Sequence, residues 1–367
     1  MFCLQVSRPL SALQERWPLR LIQTERLATQ LPPLTGSYGE LKRLIKDRGL
    51  LNRRPLRALV RLLIIDTLLV LSVALLLTVH IFWVQCLNAL LLAFVSSQIG
   101  FNGHDAGHRQ SSNSTRLNDL IGFLHGNLII GMSFSWWMDK HNRHHARPNE
   151  IDSDPDIDIP MLTFTAEEAA EKRGLPRFIA AHQALFFFPL LALVAFDLQA
   201  NSIRFLLQGK ARYPKTEVAL LLAHYVGYFG LLLIALPPWQ ALAFLVIHKV
   251  ATGLYLGSVF APNHKGMLIV EHGSDMDFLR RQVLTSRNVH AHPILDTWYG
   301  GLNYQIEHHL FPTMPRSSLA EAQRIIRTYC QQHAISYHET GMAQSYREIL
   351  SYLHAIGAPL RLRPAAA

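Results

Sequence analysis

Cysteine is scarce in this chain: Cys3, Cys86 and Cys330 are widely separated and make up the whole set. That excludes a disulfide framework and a thiolate metal site, and it fits a reducing compartment for the polar parts. Charge is scarce too. Only 17% of the 367 residues are Asp, Glu, Lys or Arg, below the roughly 25% of an ordinary soluble domain. No Glu-x-x-His occurs and no His-Glu-x-x-His, so a carboxylate di-iron bundle and a zinc hydrolase are set aside. Residues 1–57 hold no apolar core of a signal peptide. There is no nucleic-acid motif, no internal repeat, and no low-complexity tract beyond Ala365-Ala366-Ala367.

What charge there is leans basic, at +9. Arg53, Arg54, Arg57 and Arg61 stand beside an apolar run, which suits anionic lipid headgroups better than nucleic acid. Half of the chain is hydrophobic, and these residues are clumped. Residues 62–81 and 82–100 are each about long enough to cross a bilayer and form a tight hairpin. Residues 216–236 and 240–260 form a second hairpin around Pro237-Pro238. The run 119–137 is broken by Gly122, Gly126 and Gly131. It reads as interfacial, with Trp136-Trp137 at headgroup level. The run 178–197 contains Pro189 and reads as an in-plane helix. The expected fold is an all-α integral membrane protein: four transmembrane helices in two hairpins, interfacial helices, and a cytosolic histidine-rich cap. The expected organisation is a cytosolic segment 1–57, a membrane domain 58–312, and C-terminal helices 313–367. In the last part, Ser318-Leu319-Ala320-Glu321 reads as a capping box before an amphipathic helix carrying Ile325, Ile326 and Tyr329. A further helix over about 342–356 is expected to stop at Gly357.

Histidine is abundant where it matters. His104 and His108 are spaced i, i+4. His141, His144 and His145 follow i, i+3, i+4, and His308 and His309 end a third cluster that opens with Gln305. Each spacing puts its imidazoles on one face of a helix. Seven such histidines imply a centre of more than one metal ion beside a membrane. Neutral imidazole suits iron, and two irons need roughly eight to ten protein ligands. His264 follows the last span and is a candidate eighth ligand; His290 and His292 are its competitors. Gln305 occupies a ligand position with a weaker donor. Asp105, Glu307 and His125 are candidate partners that orient imidazoles. The acidic loop Asp152-Ser153-Asp154-Pro155-Asp156-Ile157-Asp158 lacks calcium-loop spacing and reads as solvated or helix-capping, the alternative being a role in orienting a metal ligand or meeting a substrate headgroup. His182, His224, His272, His333, His338 and His354 are expected to be ordinary. His248-Lys249 falls near the middle of the last span, where ionisable groups are expensive, and has no ready account.

At these residues the chain resembles the membrane fatty acid desaturases. That family carries HxxxH, HxxHH and (H/Q)xxHH, matched here by 104–108, 141–145 and 305–309. Gly300-Gly301-Leu302-Asn303-Tyr304 and Leu310-Phe311-Pro312 flank the third box as they do in the family. The resemblance implies two iron ions, O₂ as co-substrate, a fatty acyl substrate (CoA or lipid), and a double bond as product. It also supports His264 as a ligand. Gln305 resembles the front-end branch, which places a new double bond between an existing one and the carboxyl end. The trait also occurs in some bacterial acyl-CoA desaturases of other regiochemistry. Four spans in two hairpins put both termini on the cytoplasmic side with the metal site, and the expected membrane is a bacterial cytoplasmic one. No His-Pro-Gly-Gly haem motif occurs, so the expected electron donor is a separate protein of ferredoxin or cytochrome b5 type with its reductase. The alternatives are a membrane di-iron hydroxylase and a desaturase acting first on saturated chains. A metal-transport protein would carry its ligands inside the spans instead.

Overall fold

The computed structural model describes residues 37–362. Cys3, most of the 1–57 segment and the terminal alanines lie outside them. Among the described residues four helices are long and apolar enough to cross a membrane: Pro55–Thr78, Phe82–Gly107, Pro214–Ala235 and Pro238–His264. Prolines at the first helical position open three of them, where a missing N–H costs nothing. Their outer faces carry Leu63, Val70, Leu87 and Ile234, exposed in the isolated chain as lipid-facing side chains are. Inside the first hairpin Ser72 Oγ donates to Asn88 Oδ1 at 2.7 Å, and Asn88 Nδ2 donates to Ser72 O at 3.0 Å. Such a paired polar contact ties helices where burial of apolar surface supplies no drive.

The run expected to lie in plane is a bent pair. Gln183–Leu191 and Val194–Leu207 meet at 71°. The break packs onto the fourth span at Gly253, where a Cβ would come within 2.7 Å of Leu191 O. Boxes two and three meet in space, so the chain between them crosses the membrane an even number of times. The third and fourth spans supply that pair, and the bent helices therefore do not cross.

Three local expectations are corrected. The amphipathic helix starts at Arg316, capped by Pro315, so Ser318 lies inside its first turn and forms no capping box. Ile326 and Tyr329 are nevertheless buried as expected. The last helix, Met342–Leu362, runs through Gly357. That glycine is a packing site: a Cβ there would meet Ala180 O at 2.6 Å. Trp136 and Trp137 turn inward. Trp136 is 8% exposed, and the Trp137 ring stacks 4.5 Å from His141. The segment before them ends as a π-helix, Phe123–Ile130, closed by Gly131 at φ 73°. Ser133 then caps the box-two helix Phe134–Ala146, accepting from Trp136 N.

The polar end of the bundle is roofed by one buried cluster. Leu41 and Ile45 of Ser37–Asp47 pack with Leu279, Ile306, Leu310, Ile326 and Tyr329. This layer backs the third histidine box.

Candidate metal centre

The histidines are delivered by helix ends. His104 and His108 end the second span, His141–His145 occupy the last turns of Phe134–Ala146, and His264 ends the fourth span. His308 and His309 close the short helix Gln305–Leu310. Four helix C-termini therefore converge on one point. Their unpaired carbonyls carry partial negative charge and favour a cation there.

All eight expected histidines meet. His104, His108, His141, His145 and His308 form one group, and His144, His264 and His309 a second; within each group one ligand atom per residue lies within 4.8 Å of the others. Nε2 faces Nε2 at 3.1 Å for His104–His308, 2.8 Å for His108–His141, 3.1 Å for His145–His308 and 3.2 Å for His144–His264. Burial, then the neighbouring imidazoles, hold His108, His141, His145, His308 and His309 well below the usual histidine range. These rings are neutral at pH 7, as metal ligands must be.

The outward nitrogens show whether the set fits a metal. His144 Nδ1 lies 3.0 Å from Asp154, His264 Nδ1 3.0 Å from Thr285 O, and His309 Nδ1 2.8 Å from Gln282 Oε1. His104 Nδ1 lies 3.4 Å from Asp105 Oδ1. Every partner accepts, so Nδ1 carries the proton and Nε2 turns a lone pair inward. His309 Nε2 is buried without a hydrogen-bond partner. The convergent lone pairs of these imidazoles fit a cation, and the Gln305 amide nitrogen is a donor that faces one of them, His264 Nε2, at 2.9 Å.

Of the three orienting residues expected, Asp105 meets an imidazole, while Glu307 and His125 have other partners. Asp105 does sit beside His104, and it is ion-paired with Arg316 at 2.6 Å and Arg61 at 3.3 Å. Glu307 is held instead by Asn288 Nδ2 at 2.6 Å and Tyr337 Oη at 2.8 Å, and burial pushes its carboxyl up to about 7. His125 packs against the first span, 3.4 Å from Asp66. His290 and His292 are exposed, and His292 caps Pro293–Trp298. Gln305 reaches the second group: its Nε2 lies 2.9 Å from His264 Nε2, while Asn263 Nδ2 donates to its Oε1 at 3.0 Å.

Gln282 and Thr285 were missed, and for Asp154 the orienting role was only the alternative reading of its loop. Asp154, read as part of a solvated loop, is 2% exposed. Burial alone would raise its carboxyl, but His144 and the Asn149 amide outweigh this and hold it below the usual range. Its one sequence signal was position, ten residues after His144. Gln282 and Thr285 carried no signal.

A cavity of about 940 Å³ opens from the two groups into the bundle. His104, His141, His144, His264 and His308 stand at one end; Leu69, Val73, Leu191, Leu256 and Phe260 line its length. His248 and Lys249 face it too, which answers how they are accommodated: the interior beside them is hollow rather than packed.

Four apolar spans, a large cavity and two histidine groups that could hold metal ions at its wall describe a membrane protein with a candidate metal centre. The chain belongs to the fatty acid desaturase family, whose sequence profile matches residues 81–341. It is 30% identical over 342 residues to an acyl-lipid (9-3)-desaturase of Physcomitrium patens, covering 89% of this chain and 63% of that one. It is 32% identical to a Delta(6)-fatty-acid desaturase of Caenorhabditis elegans, covering 83% of this chain and 71% of that one. A Delta(5) fatty acid desaturase of the same worm is 28% identical, with 83% and 70% covered. The chain thus spans under two thirds of the first relative's length. These relatives are eukaryotic and lend nothing to a bacterial placement.

Proposed function

We propose that this protein inserts a double bond into a fatty acyl chain, using O₂ and two electrons from a reduced carrier protein. The observation that carries the reading is the apolar cavity running directly onto the histidine centre. His104, His108, His141, His145 and His308 would hold one iron ion and His144, His264 and His309 the other, which Gln305 would join through its amide oxygen once the amide turns from the orientation that points Nε2 at His264. Bound iron would supply the oxidising power that an unactivated C–H bond demands.

The chain's own residues position and shield. Asp154, Gln282, Thr285 and Asp105 fix four imidazole tautomers. Trp137 packs against His141 and His104, holding two helices in register at the centre. Leu191, Leu256 and Phe260 confine the acyl chain, so that one C–C bond lies beside the histidines. The apolar wall also keeps bulk water from the reacting carbons.

Front-end regiochemistry is the finer proposal. Gln305 in the third box and the Delta(5) and Delta(6) relatives support it. We also assign the histidine centre and both termini to the cytoplasmic side, which Arg53 and Arg54 before the first span and Arg57 in its first turn support.

The test is expression in a host without polyunsaturated fatty acids, fed saturated, monounsaturated and diunsaturated acids, with new double bonds located by mass spectrometry. A bond on the carboxyl side of an existing one is expected. A first bond in a saturated chain would overturn the regiochemistry alone, and a hydroxylated product would replace desaturation with hydroxylation.

A further inference from the structure

Lys249 is a cation near the middle of a 27-residue span. It is 8% exposed and lines the cavity. Among the described residues it forms no ion pair; its ammonium lies 5.2 Å above the Tyr228 ring. Beside it a polar bar crosses three spans: Ser96 Oγ lies 3.1 Å from His248 Nε2, and Tyr228 Oη 2.7 Å from His248 Nδ1. Past the bar, one turn further from His104, lies Leu92. Leu76 and Leu92 line the cavity and belong to the packed cluster of Ala89, Leu232 and Phe244.

The bar lies at a depth that an acyl tail can reach. Ser96 lies eight residues before His104, about 12 Å along its helix, and His248 sixteen before His264, about 24 Å. One leaflet of a bilayer, which is one acyl chain deep, measures about 15 Å. An unpaired ammonium in a low-dielectric wall keeps its charge only by holding water, and the cavity has room for it. A tail that stops short leaves that water in place. A longer tail must strip it, with nothing polar to replace it.

We infer that Lys249, set beside the Ser96–His248–Tyr228 bar, is a specificity-determining residue that sets the maximum length of the acyl tail, rejecting chains whose methyl end would desolvate the ammonium. The inference rests on the desaturase reading above.

The experiment feeds acids of increasing length, with the existing double bond at a constant distance from the carboxyl end, to cells carrying wild type, Lys249→Met or Lys249→Leu. Conversion of each chain is normalised to the best-used chain of that protein. Wild-type conversion should fall roughly tenfold at the first chain past the limit, and both variants should move that limit outward by about two carbons. An unchanged limit in both variants would overturn the inference while product from shorter chains upheld the desaturase reading. No product from any chain would overturn both. A second arm needs no variant: wild type is given the first rejected chain with a terminal hydroxyl in place of the methyl. The hydroxyl replaces the lost water, so this chain should be converted. Equal rejection of both ends would overturn the inference.

Discussion

Replacing Asp154 by Asn changes one atom and should weaken the second histidine group. The carboxylate accepts from His144 Nδ1 at 3.0 Å, from Asn149 N at 2.7 Å and from Asp156 N at 2.8 Å. All three partners donate. An amide offers one accepting oxygen, and its NH₂ must then face a donor. If the NH₂ faces His144, the ring takes the other tautomer and turns N–H rather than a lone pair toward His264 and His309. Loss of such an orienting partner costs about 10–100-fold in metal affinity, or about 1.4–2.8 kcal/mol. If the NH₂ faces a backbone amide instead, the affinity change is small and a buried donor goes unpaired, costing about 1–3 kcal/mol of stability. Asp154→Ala removes the acceptor altogether and separates the two outcomes. The assay is anaerobic titration of purified protein with Fe(II), repeated with Co(II) as a spectroscopic probe, alongside a thermal melt. Full metal affinity in both variants would refute the reasoning and return the acidic loop to a capping role.

Alanine at His144, His145, His308 or His309 should abolish activity and lower bound iron, whereas His354→Ala, near the far end of the chain beside Arg361, should do neither; a fully active His309→Ala protein would break the site assignment. Gln305→His should retain metal, because an imidazole there meets the same neighbours as the amide; loss of iron would remove residue 305 from the ligand shell. Glu348→Gln should destabilise the protein at pH 7 by about 3 kcal/mol, because it leaves a buried charge unpaired. The charge is that of Arg287, which is 0% exposed and pairs with Glu348 at 2.8 Å. Burial would raise the Glu348 carboxyl, but the hydrogen bond with His338 and the charge of Arg287 outweigh it and hold it below the usual range. A lowered folded value means that this stability is present above the unfolded carboxylate range and is lost as pH falls through the folded one. The gap in melting temperature between wild type and variant should therefore narrow in acid, and a gap that widens would contradict the pairing.

Much of the architecture was legible because it is local. A span announces itself by length and hydropathy, and the four runs lie close to the helices observed. The three boxes were legible for the same reason: i, i+3 and i+4 share a face whatever lies around them. Helix ends were harder to read. Ser318 looked like a cap and Gly357 like a stop, and in each case a neighbouring segment decided otherwise. Trp136 and Trp137 have the composition of interface anchors, yet the turn at Gly131 and the cap at Ser133 swing them inward.

The sequence by itself singled out the candidate ligands: eight histidines on helix ends beside apolar spans. Only the tertiary structure decided how they divide, five and three, because that depends on where four helix termini stop in space. It alone chose Asp154, Gln282 and Thr285 over Glu307 and His125 as imidazole partners, since hydrogen bonds between distant segments leave no periodic trace. It also made Lys249 intelligible. In sequence that lysine is a charge where none belongs; in the fold it faces a hollow, and a cation is tolerable where water can reach it.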